Sequence, residues 1–268
     1  MNNFNYSDDS FSPYQAYSYT LLLQVEASSF SYAVIHKNRL LITAQNCVLN
    51  ELAHPKQLSD LLTATYKKVI IGLPSTGLTL LPKSLVTEKQ LGAFARLLDV
   101  EENEKVLVQK LDKENVLIYK TNQTLISAIE RYGVQNTVYT ATGWIKAIAA
   151  ASPPDHNLYM QVDNNTLQML NFSLGKIRFF NTFEYSGGDD LVYFTTMVAN
   201  ELQLLPQNVT IVLSGEIGTR DASMKRLSDF YPNIEINSLK PIELPGQIIS
   251  HKFLALAALS LCESSVVL

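Results

Sequence analysis

Two acids stand out because each closes an apolar, strand-like run and opens a turn of small polar residues. They are Glu26 in Glu26-Ala27-Ser28-Ser29 and Asp163 in Asp163-Asn164-Asn165-Thr166. A carboxylate held at such a point suits general acid, general base or metal-holding work when a second group faces it. The same placement has an ordinary use, since an acid at a strand end caps its own turn by accepting local hydrogen bonds. A third motif, Val212-Leu213-Ser214-Gly215-Glu216-Ile217-Gly218, sets a glycine between a strand and a helix, where it permits a tight connection. Gly187-Gly188-Asp189-Asp190 has the glycines of an anion-binding helix start, but its two acids repel phosphate and favour a simple cap. His36, His54, His156 and His251 show no i, i+3 or i+4 spacing, so no histidine metal site is expected. There is no G-x-S-x-G elbow, Walker-type loop or H-E-x-x-H helix, and no catalytic residue is assigned.

These motifs are held by two related halves. Leu21-Leu22-Leu23-Gln24-Val25-Glu26 matches Leu158-Tyr159-Met160-Gln161-Val162-Asp163, and the same 137-residue displacement carries Phe30 onto Leu167, Leu40 onto Ile177 and Ile42 onto Phe179. Each copy reads as three short strands joined by turns, the second turn at Lys37-Asn38-Arg39 or Leu174-Gly175-Lys176. A helix follows over 50–66 and again over 188–203, where Leu191, Phe194, Val198 and Leu202 keep helical spacing. The fourth strand, Val69-Ile70-Ile71-Gly72-Leu73, matches Val209-Thr210-Ile211-Val212-Leu213 at a displacement of 140. Such a duplication would set Glu26 and Asp163 facing one another across a cleft. Residues 75–120 interrupt the first half with a helix near 88–98 and a hairpin made by 106–111 and 116–119. Helices at 121–132, 144–151 and 249–262 and short strands at 137–141 and 234–236 complete the two units.

Composition narrows the function classes. The chain has 268 residues, 47% of them hydrophobic and 17% charged, enough apolar content for a substantial core and too little charge for an extended solvated surface. Lys and Arg number 21 against 25 Asp and Glu, with no basic run longer than Lys67-Lys68, which excludes the concentrated basic face of a nucleic-acid binder. Cys47 and Cys262 stand apart and read as reduced, buried thiols. The longest apolar stretch, from Phe253, falls well short of the ~20 residues of a membrane span. Residues 1–19 lack the basic start and apolar centre of a signal peptide and read as an arm, either disordered or docked through Tyr6, Tyr14, Tyr17 and Tyr19. A cytoplasmic, soluble protein is expected.

The order of elements in each half resembles the actin-like ATPase superfamily, whose members pair two ribonuclease-H-like subdomains around a nucleotide cleft. The resemblance runs over nearly the whole chain after Tyr19. It implies an α/β fold of two duplicated subdomains with mixed five-stranded sheets, the first at 20–151 with a small α/β insertion at about 75–120, the second at 152–268. The insertion looks like the extra subdomain of pilus-assembly and cell-division members, and the helix at 249–263 is similar to one that packs back toward their first half. More narrowly, the chain is similar to an uncharacterised family of Bacteroidetes proteins, the domain of unknown function 3822, assigned to this fold.

In active members of that superfamily the strand-end acid orients magnesium-bound water, and a following glycine lets backbone N–H groups reach the phosphates. The resemblance thus marks Glu26, Ser28, Asp163 and Thr166 as candidate phosphate-side positions for ATP with magnesium, and Ser214 and Gly215 as the adenosine side. The chain departs from the pattern: neither acid turn holds its glycine, residues 1–71 contain none at all, and Glu216 replaces a second glycine after Gly215. The leading expectation is a non-catalytic interaction or scaffold protein with a degenerate cleft, no cofactor and protein partners. The alternative is a divergent ATP-binding protein or ATPase using that cleft.

Overall fold

Leu21, Leu22, Leu23 and Val25 are all buried along β2 (Thr20–Val25), the pattern of a strand covered on both faces. The computed structural model describes residues 5–86, 92–94, 96–163 and 165–263. It divides into one unit of Met1–Trp144 with Pro241–Pro245 and Leu256–Leu268, and another of Ile145–Lys240 with Gly246–Ala255.

In the first unit β2 lies between two neighbours. It pairs antiparallel with β3 (Ser29–His36) and parallel with β5 (Lys68–Leu73). β4 (Arg39–Val48) continues the meander, and β9 (Thr137–Tyr139) adds a third parallel strand beyond β5. The sheet expected to have five strands has six, because β1 (Tyr6–Ser7), from the arm, pairs with the outer edge of β4. Asp8 pairs with Arg39 across the same edge. A 3-10 helix at Pro13–Ser18 buries Ala16, and Tyr19 packs against Phe11 and His36, while Tyr14 and Tyr17 stay exposed. Of the four arm tyrosines, therefore, Tyr19 supplies the aromatic burial.

The helix expected over 50–66 is instead two single turns, α1 (Asn50–Ala53) and α2 (Ser59–Leu62). Pro55 is the cause: it lacks an N–H and disfavours helix in the residue before it. The Glu51 carboxylate then accepts the backbone N–H groups of Lys56 and Leu58, closing the intervening loop. In the insertion, β6 (Gly77–Pro82) joins the expected hairpin of β7 (Glu104–Lys110) and β8 (Asn115–Asn122) as a third strand, in the order β6-β8-β7. Val116 and Ile118 pack with Leu98, Leu81 and Val106 on one face. On the other, the Tyr119 ring packs at a tilt against Tyr139, and the Gln109 amide donates to the Thr142 hydroxyl. The helix expected near 88–98 falls partly on residues 87–91 and 95, which lie outside the described residues. α3 (Gln123–Ala128) is capped by the Asn122 side chain, and α4 (Thr142–Ala150) follows β9.

The second unit repeats the plan. β10 (Asn157–Asp163) lies between antiparallel β11 (Thr166–Ser173) and parallel β13 (Thr210–Gly215), with β12 (Lys176–Glu184) and β14 (Ile234–Ile236) at the two edges. α5 (Gly188–Glu201) and α6 (Ala222–Ser228) pack with these strands around Met160, Val162, Met169, Leu191, Val198 and Leu227. α7 (Ser250–Ala258) ends in a 3-10 turn at Leu259–Leu261, and within the first unit Cys262 accepts a bond from the Lys68 ammonium at 2.8 Å.

The duplication reaches into backbone detail. Leu22 opposes Ala33 as Tyr159 opposes Leu170, both displaced by 137. Lys37 and Asn38 have positive φ, as do Leu174 and Gly175, giving both hairpins the two left-handed positions of a type I′ turn. The β-bulge at Val34/Ile35 recurs at Asn171/Phe172. The fourth strands differ from expectation. Thr20 faces Lys68 and Asn157 faces Thr210, so they correspond in space at a displacement of 142 rather than 140. A slip of two leaves every side chain on its own face, and hydrophobic alternation cannot distinguish the registers.

Candidate functional site

The two acid turns are folded onto themselves. In the first unit the Glu26 N–H donates to the Ser29 carbonyl at 2.9 Å, and the Ser29 hydroxyl donates to the Glu26 carboxylate at 3.0 Å. Ala27 and Ser28 are left exposed at the tip. In the second unit Asp163 pairs with Thr166 at the start of the turn, and its carboxylate accepts the Gln161 amide at 3.0 Å. Asn164 lies outside the described residues.

Gly215 sits beside that carboxylate's strand. It has φ +90°, and a β-carbon there would stand 2.2 Å from the Val162 carbonyl oxygen and 2.8 Å from the Gln161 amide nitrogen. Glycine is thus required by the close approach of β13 to β10. Ser214, opposite Gln161 in the ladder, is fully buried. The following donors are all engaged locally: the Glu216 N–H bonds Val162, the Ile217 N–H bonds Gly215 and the Gly218 N–H bonds the Asp221 carboxylate. Glu216 itself pairs with Lys252 at 2.9 Å, and His251 of α7 contacts the Ile217 carbonyl at 2.9 Å. Burial pushes the His251 pKa down. Burial, together with the Asp163 and Asp221 carboxylates, raises that of Tyr185.

Asp163, Thr166, Ser214 and Gly215 therefore share one sheet end in the second unit, and Glu26 and Ser28 belong to the first. A phosphate cradle needs several free N–H groups converging on one point. The donors of the Ser214-Gly215 connection, on the adenosine side of the resemblance, point into their own turn, and on the phosphate side the Glu26 N–H is spent on the Ser29 carbonyl. Among the described residues there is no group of three His, Cys, Asp or Glu side chains placed to hold a metal ion.

Gln161 is the residue that sequence reasoning missed. It is buried to 1% exposure, donates to Asp163 and abuts Gly215, and its Oε1 has no hydrogen-bond partner among the described residues. The signal was present, since Gln24 and Gln161 hold the same place in the two repeats, each a lone amide in an apolar strand two residues before the acid.

No helix of the described residues is long and apolar enough to cross a membrane. A Bacteroides thetaiotaomicron VPI-5482 protein of unknown function with an actin-like ATPase fold superposes with a TM-score of 0.75 at 19% identity, over 94% of this chain and 99% of that one. The PilM–PilN type IV pilus biogenesis complex matches with a TM-score of 0.59 at 15% identity, over 89% of this chain and 97% of that one. These likenesses establish the actin-like ATPase fold. No curated protein matches the chain. The model of the protein family of unknown function DUF3822 matches residues 8–234, and the chain belongs to that family.

Proposed function

We propose that this protein is a non-catalytic interaction or scaffold protein that uses its actin-like fold to present surface to protein partners, without ATP or magnesium. The observation that carries this reading is the closed Ser214-Gly215-Glu216 turn. Its donors are spent on Val162, Gly215 and Asp221, and the side chain replacing a second glycine is tied to Lys252. The PilM relative was solved together with PilN, which supports a protein rather than a nucleotide as the partner. Two free cysteines and the lack of a concentrated basic face support a reducing, cytoplasmic setting away from nucleic acid.

One observation favours the second reading, a divergent ATP-binding protein using Glu26, Ser28, Asp163, Thr166, Ser214 and Gly215. The Gln161 Oε1 is a buried acceptor beside Asp163 with no partner among the described residues, and such a group costs stability until a donor reaches it. Thermal unfolding of the full chain with ATP and magnesium separates the two. A ligand at about 100 times its dissociation constant adds about 2.7 kcal/mol to stability, several degrees of melting temperature. No shift is expected up to millimolar nucleotide. A shift that Asp163→Ala removes overturns the scaffold reading.

A further inference from the structure

In the second unit the outward side of α5 carries a regular row. Asp189, Tyr193, Met197 and Glu201 follow one another at four-residue steps, so they lie along one side of the helix over about 18 Å. All four face solvent, Tyr193 being 63% and Met197 40% exposed. The tyrosine is held in place: its ring meets Phe194 edge-on at 5.2 Å, and Phe194 in turn stacks on Phe183 of β12 at 4.7 Å. A pre-oriented aromatic ring beside a methionine is the composition of a binding hot spot, with little side-chain freedom left to lose on contact. The first unit has no such face, because its corresponding segment is the two single turns α1 and α2.

The charges around this pair are mainly of one sign. α5 holds Asp189, Asp190 and Glu201 and no basic residue. On neighbouring α6, which adds Lys225, the Arg226 guanidinium is shared by Asp189 at 2.7 Å and Asp229 at 3.7 Å while lying over the Phe230 ring. Asp190 accepts the Ser186 hydroxyl at 2.7 Å. Glu201 has no ion-pair partner among the described residues, and it stands in the last turn of α5, where the helix dipole disfavours an acid. The row thus reads acid, tyrosine, methionine, acid, with its second acid left for a cation from outside.

We propose that this face receives a basic amphipathic helix of a protein partner, laid along α5 with two apolar side chains over Tyr193 and Met197 and a Lys or Arg at Glu201. The proposal deepens the interaction reading above and rests on it. A row that keeps the helical period is matched along its length by the apolar stripe of a second helix, whose side chains recur at the same three- and four-residue steps. Charge selects among the occupants. The acids repel the phosphates of nucleic acids and of anionic lipids. A second copy of the chain is disfavoured too, since laying two α5 helices antiparallel sets Asp189 of one against Glu201 of the other. A cationic helix meets the row with both its apolar and its charged positions.

The probe is a displayed library of single helices, randomised along one side and selected against the full-length chain. Enriched helices are expected to carry Lys or Arg beside two apolar residues. They are also expected to bind about ten-fold more weakly to Tyr193→Ala and to Glu201→Lys than to the unsubstituted chain. Both sites face solvent, and a lysine suits the C-terminal turn of α5, so Glu201→Lys keeps the helix intact. Changing the selected cation to Glu should then restore binding to Glu201→Lys, a rescue that a merely structural effect would not give. Helices that bind yet ignore both substitutions sit elsewhere and overturn this face while the interaction reading stands. Enrichment without basic residues overturns it, as does a selection that yields no binder. Self-association of the chain that Tyr193→Ala abolishes overturns it in favour of a second copy. A nucleotide-induced melting shift, by contrast, removes the interaction reading itself.

Discussion

Gly215 and Val162 approach so closely that a single added methyl at Gly215 would lie 2.2 Å from the Val162 carbonyl oxygen. The contact joins two parallel strands at the end where the candidate acid sits. Gly215→Ala combines this clash with a left-handed backbone, and about 3 kcal/mol of destabilisation is expected, or roughly 6–12 °C of melting temperature. A melting curve unchanged by the substitution would show that β13 does not approach β10 in this way.

Gly143 makes a second close approach, in the first turn of α4. Its β-carbon would stand 2.3 Å from the Ala258 carbonyl oxygen, and both atoms are backbone-held. Gly143→Ala is expected to cost about 2–4 kcal/mol, against about 0.5 kcal/mol or less for Gly187→Ala, an extended position with open space around it. Urea unfolding of the two variants side by side checks the contrast.

The Glu104 carboxylate lies 2.8 Å from the Lys120 ammonium, with side chains 6% and 11% exposed. Burial alone would raise its pKa, but the Glu101 N–H, Lys120 and the Thr76 hydroxyl outweigh it and hold the group at about 2. The folded-state value lies below the ordinary 4.5, so the pair contributes fully above that pH and is lost as pH falls toward about 2. Glu104→Gln leaves Lys120 uncompensated and is expected to cost about 3 kcal/mol at neutral pH. It should also flatten the acid limb of a stability-versus-pH curve; an unaltered limb would assign the acid sensitivity to other groups.

The arm has a milder lock. Asp8 accepts the Ser10 hydroxyl and N–H, the Tyr6 hydroxyl and Arg39, and these bonds bring its pKa to about 2. Asp8→Asn is expected to speed amide exchange at Tyr6 and Ser7 while leaving the melting temperature nearly unchanged, because exposed ion pairs contribute little. In the unsubstituted chain the protection of these amides, taken relative to their intrinsic exchange rates, should fall as pH drops from about 4 toward 2. Exchange that ignores both the substitution and the pH would mean β1 is held by other contacts.

Much of this architecture was legible because strands with both faces buried write themselves as apolar runs, and two such runs ending in Gln24-Val25-Glu26 and Gln161-Val162-Asp163 declare a repeat. β1 was not legible: two residues, Tyr6 and Ser7, carry no periodicity, and their pairing is fixed by Asp8 and Arg39, 31 positions apart. β6 escaped because Gly77 to Leu81 are all only partly buried and Pro82 is exposed, so Leu78, Leu80 and Leu81 show no alternation of faces. Pro55 could have divided the helix after β4 on its own chemistry, but the match of 50–66 to the helical pattern at 188–203 carried a single helix across it. At the candidate site, glycine chemistry pointed to Gly215 as a tight strand-to-helix connection, and its positive φ and close approach to Val162 are of that kind.

The two meanders, each pinned by a type I′ turn and a bulge at matching positions, also set an order of assembly. Closing β2 onto β3 and β3 onto β4 takes loops of a few residues, whereas bringing β5 beside β2 must close the whole stretch from Val25 to Lys68. Loop entropy therefore makes the antiparallel part the cheaper nucleus in each unit, with the parallel strand joining late. Leu23→Ala should then slow refolding, and Ile71→Ala, opposite it in the ladder, should mainly speed unfolding. Equal effects on both rates would mean that the crossover forms with the meander. A chain that begins folding at two separate places built to one plan carries a second hazard, that β2 finds the strand meant for β10. Because the two ladders share one register, side-chain packing must reject the swap, Leu22 standing where the second unit has Tyr159.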